Sequence, residues 1–152
     1  MSTPVNIDIW TDGSIKGGNP GGHGVGGYVI KDYRRWYSWD ITTKGTVDLG
    51  KHDTMTNNIA EYSAVVAALQ ALLGLFNKHN RWPDRVLVHS DSKLVVEQVN
   101  DHWKCNNQAL SELRDQIWDL CEQFGKCDVV FKWVPREENE EADAASRSLY
   151  ED

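Results

Sequence analysis

Apolar and polar side chains alternate at the start of the chain, which is the pattern of a half-buried β-strand. The alternation covers residues 5–10, and the turn-forming residues Thr11 to Ser14 end this first predicted strand. Two further strands are predicted over residues 28–30 and 35–41, joined by a turn. Consecutive short strands of this kind predict a three-stranded antiparallel meander.

The next part of the chain is a polar segment, followed by a segment whose apolar residues have helical spacing. Residues 42–56 are polar and glycine-containing, and they predict a loop. A long helix is then predicted from Asn57 to about Phe76, with Asn57 or Thr56 as its N-cap. Its buried face is predicted from apolar residues three or four positions apart, namely Val65, Leu69, Leu72 and Phe76.

Short strands alternate with helices in the remainder of the chain. The predicted strands cover residues 85–90 and 128–134, and the predicted helices cover residues 92–101, 109–124 and 138–149. This order predicts an α/β fold with one five-stranded mixed sheet, three antiparallel strands followed by two parallel ones, flanked by helices. With 152 residues and no linker or repeat, we expect a single domain over residues 1–152.

Composition restricts where such a domain works. No apolar run approaches the roughly 18 residues that span a bilayer, and the N-terminus shows no secretory signal, so we expect a cytoplasmic protein without a membrane partner. The three cysteines, Cys105, Cys121 and Cys127, form no Cys-x-x-Cys pair and are expected to be free thiols. A monomer is the default expectation. The net charge of −7 by itself disfavours a nucleic-acid partner, because phosphate-binding proteins are usually basic.

Four acids change that view, because they lie near the ends of predicted elements. Asp12 and Asp91 follow predicted strands, and Glu61 and Asp143 lie in the first turns of predicted helices. In open α/β sheets, sites form outside the carboxyl ends of strands. Mg²⁺ prefers carboxylate oxygens, and bound metal offsets the negative charge of its ligands. A cluster of these acids would suit metal-assisted cleavage of a phosphodiester.

Each acid also has a local explanation that needs no metal. Asp12 could be a turn residue, and Asp91 could cap the helix that follows it. The position of Glu61 near a helix N-terminus is favoured by the helix dipole, and Asp143 could pair with Arg147 four residues later. Periodicity alone leaves these alternatives open.

The motifs around the acids resemble the type 1 ribonuclease H family over nearly the whole chain. Any one of the motifs is weak, but four occur in the family's order on the expected elements. They are Thr11-Asp12-Gly13-Ser14 followed by the glycine-rich Asn19-Pro20-Gly21-Gly22 stretch, Thr56-Asn57-Asn58-x-x-Glu61, Ser90-Asp91-Ser92-x-x-Val95, and Asn139-x-x-Ala142-Asp143. The glycine-rich stretch precedes a strand and lacks Gly-Lys-Ser/Thr, so we interpret it as turns and close packing and not as a phosphate-binding loop.

The resemblance implies an endonuclease that cuts the RNA strand of an RNA/DNA hybrid, giving 5′-phosphate and 3′-hydroxyl ends. It implies two Mg²⁺ ions, with Mn²⁺ as a substitute, held by Asp12, Glu61, Asp91 and Asp143. It further implies substrate contacts. Main chain and side chains that bind ribose 2′-hydroxyls fall on Gly13, Ser14, Asn57 and Asn58, and a phosphate-binding threonine falls on Thr56. Lys93 takes a position where family members often place a polar, groove-reading side chain.

This chain departs from many family members in two ways. The loop before Asp143 is a short Arg-Glu-x-Asn segment without the histidine found in many bacterial members, and we hypothesise that Arg136 binds a phosphate there. A solvated arginine is the alternative. The chain also lacks the basic protrusion of some members. Two other functions remain open at this point, a non-catalytic hybrid-binding module and a nuclease that acts on duplex DNA.

Overall fold

A computed structural model describes residues 3–38 and 41–150 of the chain. The described residues form five strands, four α-helices and one short 3₁₀ helix. They are β1 (Asn6–Lys16), β2 (His23–Lys31), β3 (Thr43–Lys51), α1 (Asn57–His79), β4 (Arg85–Ser90), α2 (Lys93–Val99), α3 (Gln108–Gln123), β5 (Asp128–Trp133), the 3₁₀ helix (Arg136–Glu138) and α4 (Glu140–Arg147).

The strands form one mixed sheet in the order β3-β2-β1-β4-β5. β1 pairs antiparallel with β2, and β2 pairs antiparallel with β3. β1 pairs parallel with β4, and β4 pairs parallel with β5. The predicted fold class, an α/β fold with one five-stranded mixed sheet flanked by helices, is confirmed.

The first strand is longer than the sequence pattern indicates, and this corrects the predicted position of Asp12. β1 does not end at Thr11 but continues to Lys16, paired with β2 throughout. Its pairing with the shorter β4 stops at Thr11 opposite Ser90, whereas Asp12 still pairs with Gly27 of β2. Asp12 therefore lies inside a strand, one residue beyond the point where the neighbouring strand ends.

The predicted third strand over residues 35–41 is wrong where the structure describes it, and residues 39 and 40 lie outside the described residues. The Asp32 carboxylate accepts hydrogen bonds from the main-chain N–H groups of Trp36 and Tyr37, at 3.0 and 3.1 Å, which holds this segment in a turn. Tyr37 and Ile41 are buried as parts of a loop that packs on the core.

The true third strand, β3, falls in the segment predicted as a loop. Its residues alternate between half-buried and exposed, because it is an edge strand and one of its faces meets solvent. Its pairing with β2 shifts between Gly24 and Val25, which is the signature of a β-bulge. The polar composition of β3 reflects its edge position, and edge strands are often polar because this discourages pairing with other chains.

Helices cover the two faces of the sheet. Successive residues of a strand point to opposite faces. On β2, Gly26 abuts Ala64 of α1, whereas the next residue, Gly27, abuts Ser146 of α4. α1 and α4 therefore lie on opposite sides, and α3 packs against α1.

The main core lies between α1 and the inner strands. The fully or almost fully buried residues at this interface are Ile7, Ile9, Val65, Leu69, Leu72, Phe76, Val86 and Val88. By length and composition, α1 is the one helix in the described part of the chain that could cross a membrane, with a mean hydropathy of 1.7 in its most apolar window. In this fold 61% of that window is buried against the sheet and α3, as is common for the central helix of a compact domain.

Candidate functional site

The four predicted acids converge from four different elements. Asp12 lies inside β1, and Asp91 directly follows β4. Glu61 is in the second turn of α1, and Asp143 is in the first turn of α4. All four line one cavity of about 450 Å³ at the edge of the sheet where β4 ends.

Three of these carboxylates form a compact group. One oxygen from each of Asp12, Glu61 and Asp91 lies within 4.8 Å of the other two. Asp12 and Glu61 are buried, at 5% and 6% exposed, and Glu61 Oε2 has no hydrogen-bond partner in the described part of the chain. A buried carboxylate oxygen without a donor is costly unless a cation compensates it. The donor set of three clustered carboxylates fits a hard divalent ion.

Asp143 lines the same cavity but lies outside the compact group. Its Oδ2 accepts a hydrogen bond from Arg147 Nη2 at 2.9 Å, so the local ion pair considered from the sequence does form. Asp143 also lies near enough to Asp12 to hydrogen-bond with it and to raise its pKa. Asp143 therefore both pairs with Arg147 and lines the cavity.

The local alternative for Asp91 is not realised. The N-cap of α2 is Ser92, whose side chain accepts a hydrogen bond from the N–H of Val95 at 3.3 Å. The Asp91 carboxylate remains available to the cavity. The main-chain oxygen of Asp91 accepts a hydrogen bond from Trp133 Nε1 at 3.2 Å.

Burial and mutual repulsion raise the pKa values of the clustered acids. Burial, followed by the charge of Asp91, raises the pKa of Asp12 to about 8. Burial, followed by the charge of Asp12, raises the pKa of Glu61 well above its usual range. Burial also raises the pKa of Asp91, although hydrogen bonds and the nearby charge of Arg136 oppose this. Without a cation the cluster therefore retains protons near neutral pH, and bound metal would displace them.

A glycine beside Asp12 allows the helix and the strand to approach closely. A side chain at Gly13 would overlap the main chain of Ala60 and Glu61 in α1. The absence of a side chain at Gly13 is therefore what brings Glu61 next to Asp12. The Gly13 N–H donates to Asp12 Oδ1 at 3.0 Å, and it also opposes the rise in the Glu61 pKa.

The predicted phosphate-binding Thr56 and the predicted ribose-binding Asn57 and Asn58 lie at the N-terminus of α1. Thr56 is the N-cap, and its Oγ1 accepts a hydrogen bond from the N–H of Ile59 at 3.2 Å. Asn57 lines the carboxylate cavity, and Asn58 is half-buried in the same helical turn. The N–H of Asn57 donates to Asn19 Oδ1 at 3.2 Å, so the glycine-rich turn after β1 fixes this end of the helix.

Of the other residues predicted to contact substrate, three line the cavity and one lies on the exposed surface of α2. Gly13, Ser14 and Arg136 line it. The Ser14 hydroxyl donates to the main-chain oxygen of Ser146 at 2.7 Å and also lies 3.4 Å from the Tyr150 hydroxyl. Lys93 is exposed at the first residue of α2.

Sequence reasoning assigned no site role to several residues that contact the predicted acids. Arg147 had been considered only as a surface partner, yet it lines the cavity. Trp133 bonds to the main chain of Asp91 and is 49% exposed. Asn139 was noted only as part of a motif, and it is buried beside the site. The fourth motif was the available signal for Asn139, whereas the contact of Trp133 depends on strand register.

Comparisons with known proteins agree with this geometry. A family described as reverse transcriptase-like matches residues 12–149. A bifunctional protein of Mycobacterium tuberculosis is 32% identical over 91% of this chain and 34% of its own length. Ribonuclease HI of Halobacterium salinarum is 30% identical over 96% of this chain and 65% of its own length. The chain thus spans about a third of the length of the first curated relatives it matches.

One solved structure is also similar to this chain over most of its length. An RNase H1 found in compost by a metagenomic approach, solved in complex with an RNA/DNA hybrid, superposes with a TM-score of 0.77. It is 30% identical to this chain, and the match covers 91% of this chain and 92% of the neighbour. By its matched family, its named relatives and this structural neighbour, the chain belongs to the type 1 ribonuclease H family of reverse transcriptase-like proteins.

Proposed function

We propose that this chain hydrolyses the RNA strand of RNA/DNA hybrids endonucleolytically, giving 5′-phosphate and 3′-hydroxyl ends. The observation that carries the proposal is the convergence of Asp12, Glu61 and Asp91 within 4.8 Å, in a cavity shared with Asp143 and Asn57. Family membership and the hybrid bound to the structural neighbour support the choice of substrate.

The resident cofactor that we propose is Mg²⁺, as two ions, with Mn²⁺ as a substitute. Asp12 is central and would contribute to both ions, Glu61 and Asp91 to one, and Asp143 to the other. When bound, two divalent ions activate the attacking water and stabilise the leaving oxygen of a phosphodiester. The unpartnered Glu61 Oε2 and the raised pKa values of the cluster support a cation at this place.

The chain's own residues would orient the hybrid over the carboxylates. The Asn57 and Asn58 amides and the backbone at Gly13 and Ser14 are suited to a 2′-hydroxyl, which both donates and accepts hydrogen bonds and distinguishes RNA from DNA. Thr56, Lys93 and Arg136 would bind phosphates, which position a nucleic acid without reading its sequence. We also propose that the chain acts as one domain, since one hydrophobic core joins the sheet to α1, α2 and α3. A monomer is the oligomeric state that we propose.

The test compares labelled RNA/DNA, RNA/RNA and DNA/DNA duplexes with Mg²⁺ or Mn²⁺ on a denaturing gel. We expect cleavage of the RNA strand of the hybrid alone, and none in excess EDTA. Hybrid binding without cleavage would instead indicate a non-catalytic module. Cleavage of DNA/DNA duplex would indicate a DNA nuclease.

Replacing the central carboxylate should abolish this activity. Asp12→Asn is expected to lower hybrid cleavage by more than about 100-fold, since even changes to residues behind metal ligands cost about 10- to 100-fold. The matched control is Asp8→Asn, on the same strand and the same face, where the carboxylate pairs with His89 at 2.9 Å and not with the cluster. Cleavage by Asp12→Asn at the wild-type rate would contradict the proposal.

Arg136 provides a separate test of the loop that lacks a histidine. It is exposed, lines the cavity and lowers the pKa of Asp91 by its charge. We expect Arg136→Ala to reduce kcat/KM for the hybrid by about 10-fold, as loss of one charge-assisted hydrogen bond would. Lys126→Ala, an exposed cation in the turn between α3 and β5, is the control. Equal kinetics for Arg136→Ala and wild type would assign Arg136 to the solvated surface.

A further inference from the structure

Asn139 lies where the strand that carries Asp12 meets the helix that carries Asp143. It is the residue between the 3₁₀ helix and α4 and is only 1% exposed. A polar amide buried to this degree requires hydrogen-bond partners, and the partners it has define what it holds together.

Two hydrogen bonds connect Asn139 to both sides of the metal cavity. Its side-chain Nδ2 donates to the main-chain oxygen of Thr11 at 2.8 Å, and Thr11 immediately precedes Asp12. Its main-chain oxygen accepts from the N–H of Asp143 at 3.1 Å. One buried residue thus joins the backbone next to Asp12 to the backbone of Asp143, across 128 positions of sequence.

The position of Asp143 depends on how α4 is held against the sheet. It is outside the compact group of three carboxylates. It lies on a helix of eight residues whose N-cap makes no side-chain hydrogen bond to the helix. Its own carboxylate accepts a hydrogen bond from Arg147 four residues later, so this contact lies within α4.

Asn139 also contacts the third side of the cavity. Its side chain lies near the Asp91 carboxyl. Its Oδ1 has no partner among the described residues, so the amide is oriented by what its nitrogen donates to. The elements that carry Asp12, Asp91 and Asp143 therefore all meet at this one amide.

We propose that Asn139 is a positioning residue that holds Asp143 within reach of Asp12, so that the outlying acid can complete the metal site. The inference rests on the proposed function for the identity of the ligand, a divalent cation. Asn139 itself binds neither metal nor substrate. It acts by fixing the first turn of α4 to β1.

The test is direct metal binding to the whole chain, measured by titration calorimetry with Mg²⁺ and with Mn²⁺ in the absence of nucleic acid. We expect Asn139→Ala to weaken binding by about 10- to 100-fold, the usual effect of losing a residue that orients metal ligands. Raising the metal concentration should restore hybrid cleavage in this variant, because the metal ligands themselves are intact.

Asn100→Ala is the matched control. Asn100 Nδ2 also donates to a main-chain oxygen of a strand, that of Phe131 in β5 at 3.2 Å, but away from the carboxylates. Its metal affinity should equal that of wild type even if its Tm is lower. If Asn139→Ala does not fold, Asn139→Ser replaces it, since serine is a favoured N-cap for α4 but its side chain is too short to reach the main-chain oxygen of Thr11.

The outcomes separate this inference from the proposed function. Folded Asn139 variants with wild-type metal affinity would overturn the positioning role and leave the nuclease proposal intact. A wild type that binds metal but cuts no hybrid would overturn the proposed function, while weakened binding in Asn139→Ala would still support positioning. A wild type that binds neither Mg²⁺ nor Mn²⁺ would overturn both.

Discussion

At the scale of single residues, the site is defined by carboxyl groups placed where water scarcely reaches them. Asp12 and Glu61 are almost fully buried and lie against each other, so ionising both without a cation is unfavourable. Protons and divalent metal therefore compete for the same oxygens. This competition should be visible in the folding stability of the protein as well as in its activity.

Metal-free protein should lose stability as the pH rises from about 4 to about 8. The pKa of Asp12 is about 8 in the folded state, against 3.8 for an aspartate in water, so in this window the folded state keeps a proton that the unfolded state has lost. The free energy of unfolding then falls with pH, by up to about 1.4 kcal/mol per pH unit for each such proton. Urea unfolding in EDTA at several pH values measures the slope.

Asp12→Asn supplies the control for that slope, because an amide does not titrate. The variant should show a shallower pH dependence and should be more stable than wild type at pH 8 in EDTA. Asp8→Asn should retain the wild-type slope. Metal-free stability that rises between pH 5 and pH 8 in the wild type would contradict this account.

At the scale of elements, the sequence predicted the helices and buried strands well and the edge of the sheet poorly. Residues 85–90 matched a strand, and the helix from Asn57 began where it was predicted. Strand β3 was missed because its edge position makes it polar, and residues 35–41 were misassigned because their apolar side chains pack as a loop. An alternating pattern of apolar residues indicates which side chains are buried, but buried side chains can also belong to a loop.

The candidate site was predictable to the extent that its residues lie in recognisable motifs. The four acids could be named from motif order, although the strand position of Asp12 could not, since it depends on β4 being shorter than β1. The links made by Asn139 could not be predicted either. The bond from Asn139 to Thr11 joins residues 128 positions apart, and only the folded chain brings such residues together.

Close contact between elements gives a paired test with two glycines. Gly13→Ala should destabilise the protein by about 1–3 kcal/mol or more, because the new methyl group meets the main chain of α1 and that contact cannot relax by side-chain rotation. Gly74→Ala, on the exposed side of α1 with no atom within 4 Å, should stabilise it by about 0.5–1 kcal/mol through helix propensity. Urea midpoints measure both, and a neutral Gly13→Ala would contradict the packing argument.

At the scale of the whole molecule, acidity limits how the domain can hold a nucleic acid. The chain carries a net charge of −7, and the basic residues predicted to contact phosphate are few, chiefly Lys93 and Arg136. Much of the acidity near the site lies in the carboxylates that would bind metal. Attraction for the hybrid should therefore be weak and local.

Hybrid affinity should accordingly be modest and should fall with salt. With two or three phosphate contacts, the affinity is expected to drop about 10- to 100-fold between 50 and 200 mM salt. Fluorescence anisotropy with Asp12→Asn, which does not cut the probe, measures this. Adding Arg136→Ala to that variant should reduce the salt slope by about 1, whereas adding Lys126→Ala should leave it unchanged. A salt-independent affinity would contradict the prediction.

The placement of Asp12 inside the central strand has a consequence for how the site opens transiently. Amide hydrogens in the middle of a sheet exchange with solvent only when the whole domain opens, whereas short helices at its surface open locally and more often. The amides of β1 on either side of Asp12 should therefore be among the slowest to exchange, and those of the eight-residue α4 among the fastest within helices. The site would then open from one side. The helix α4, which carries Asp143, would open and close locally, whereas Asp12 in β1 would stay in place until the whole domain unfolds.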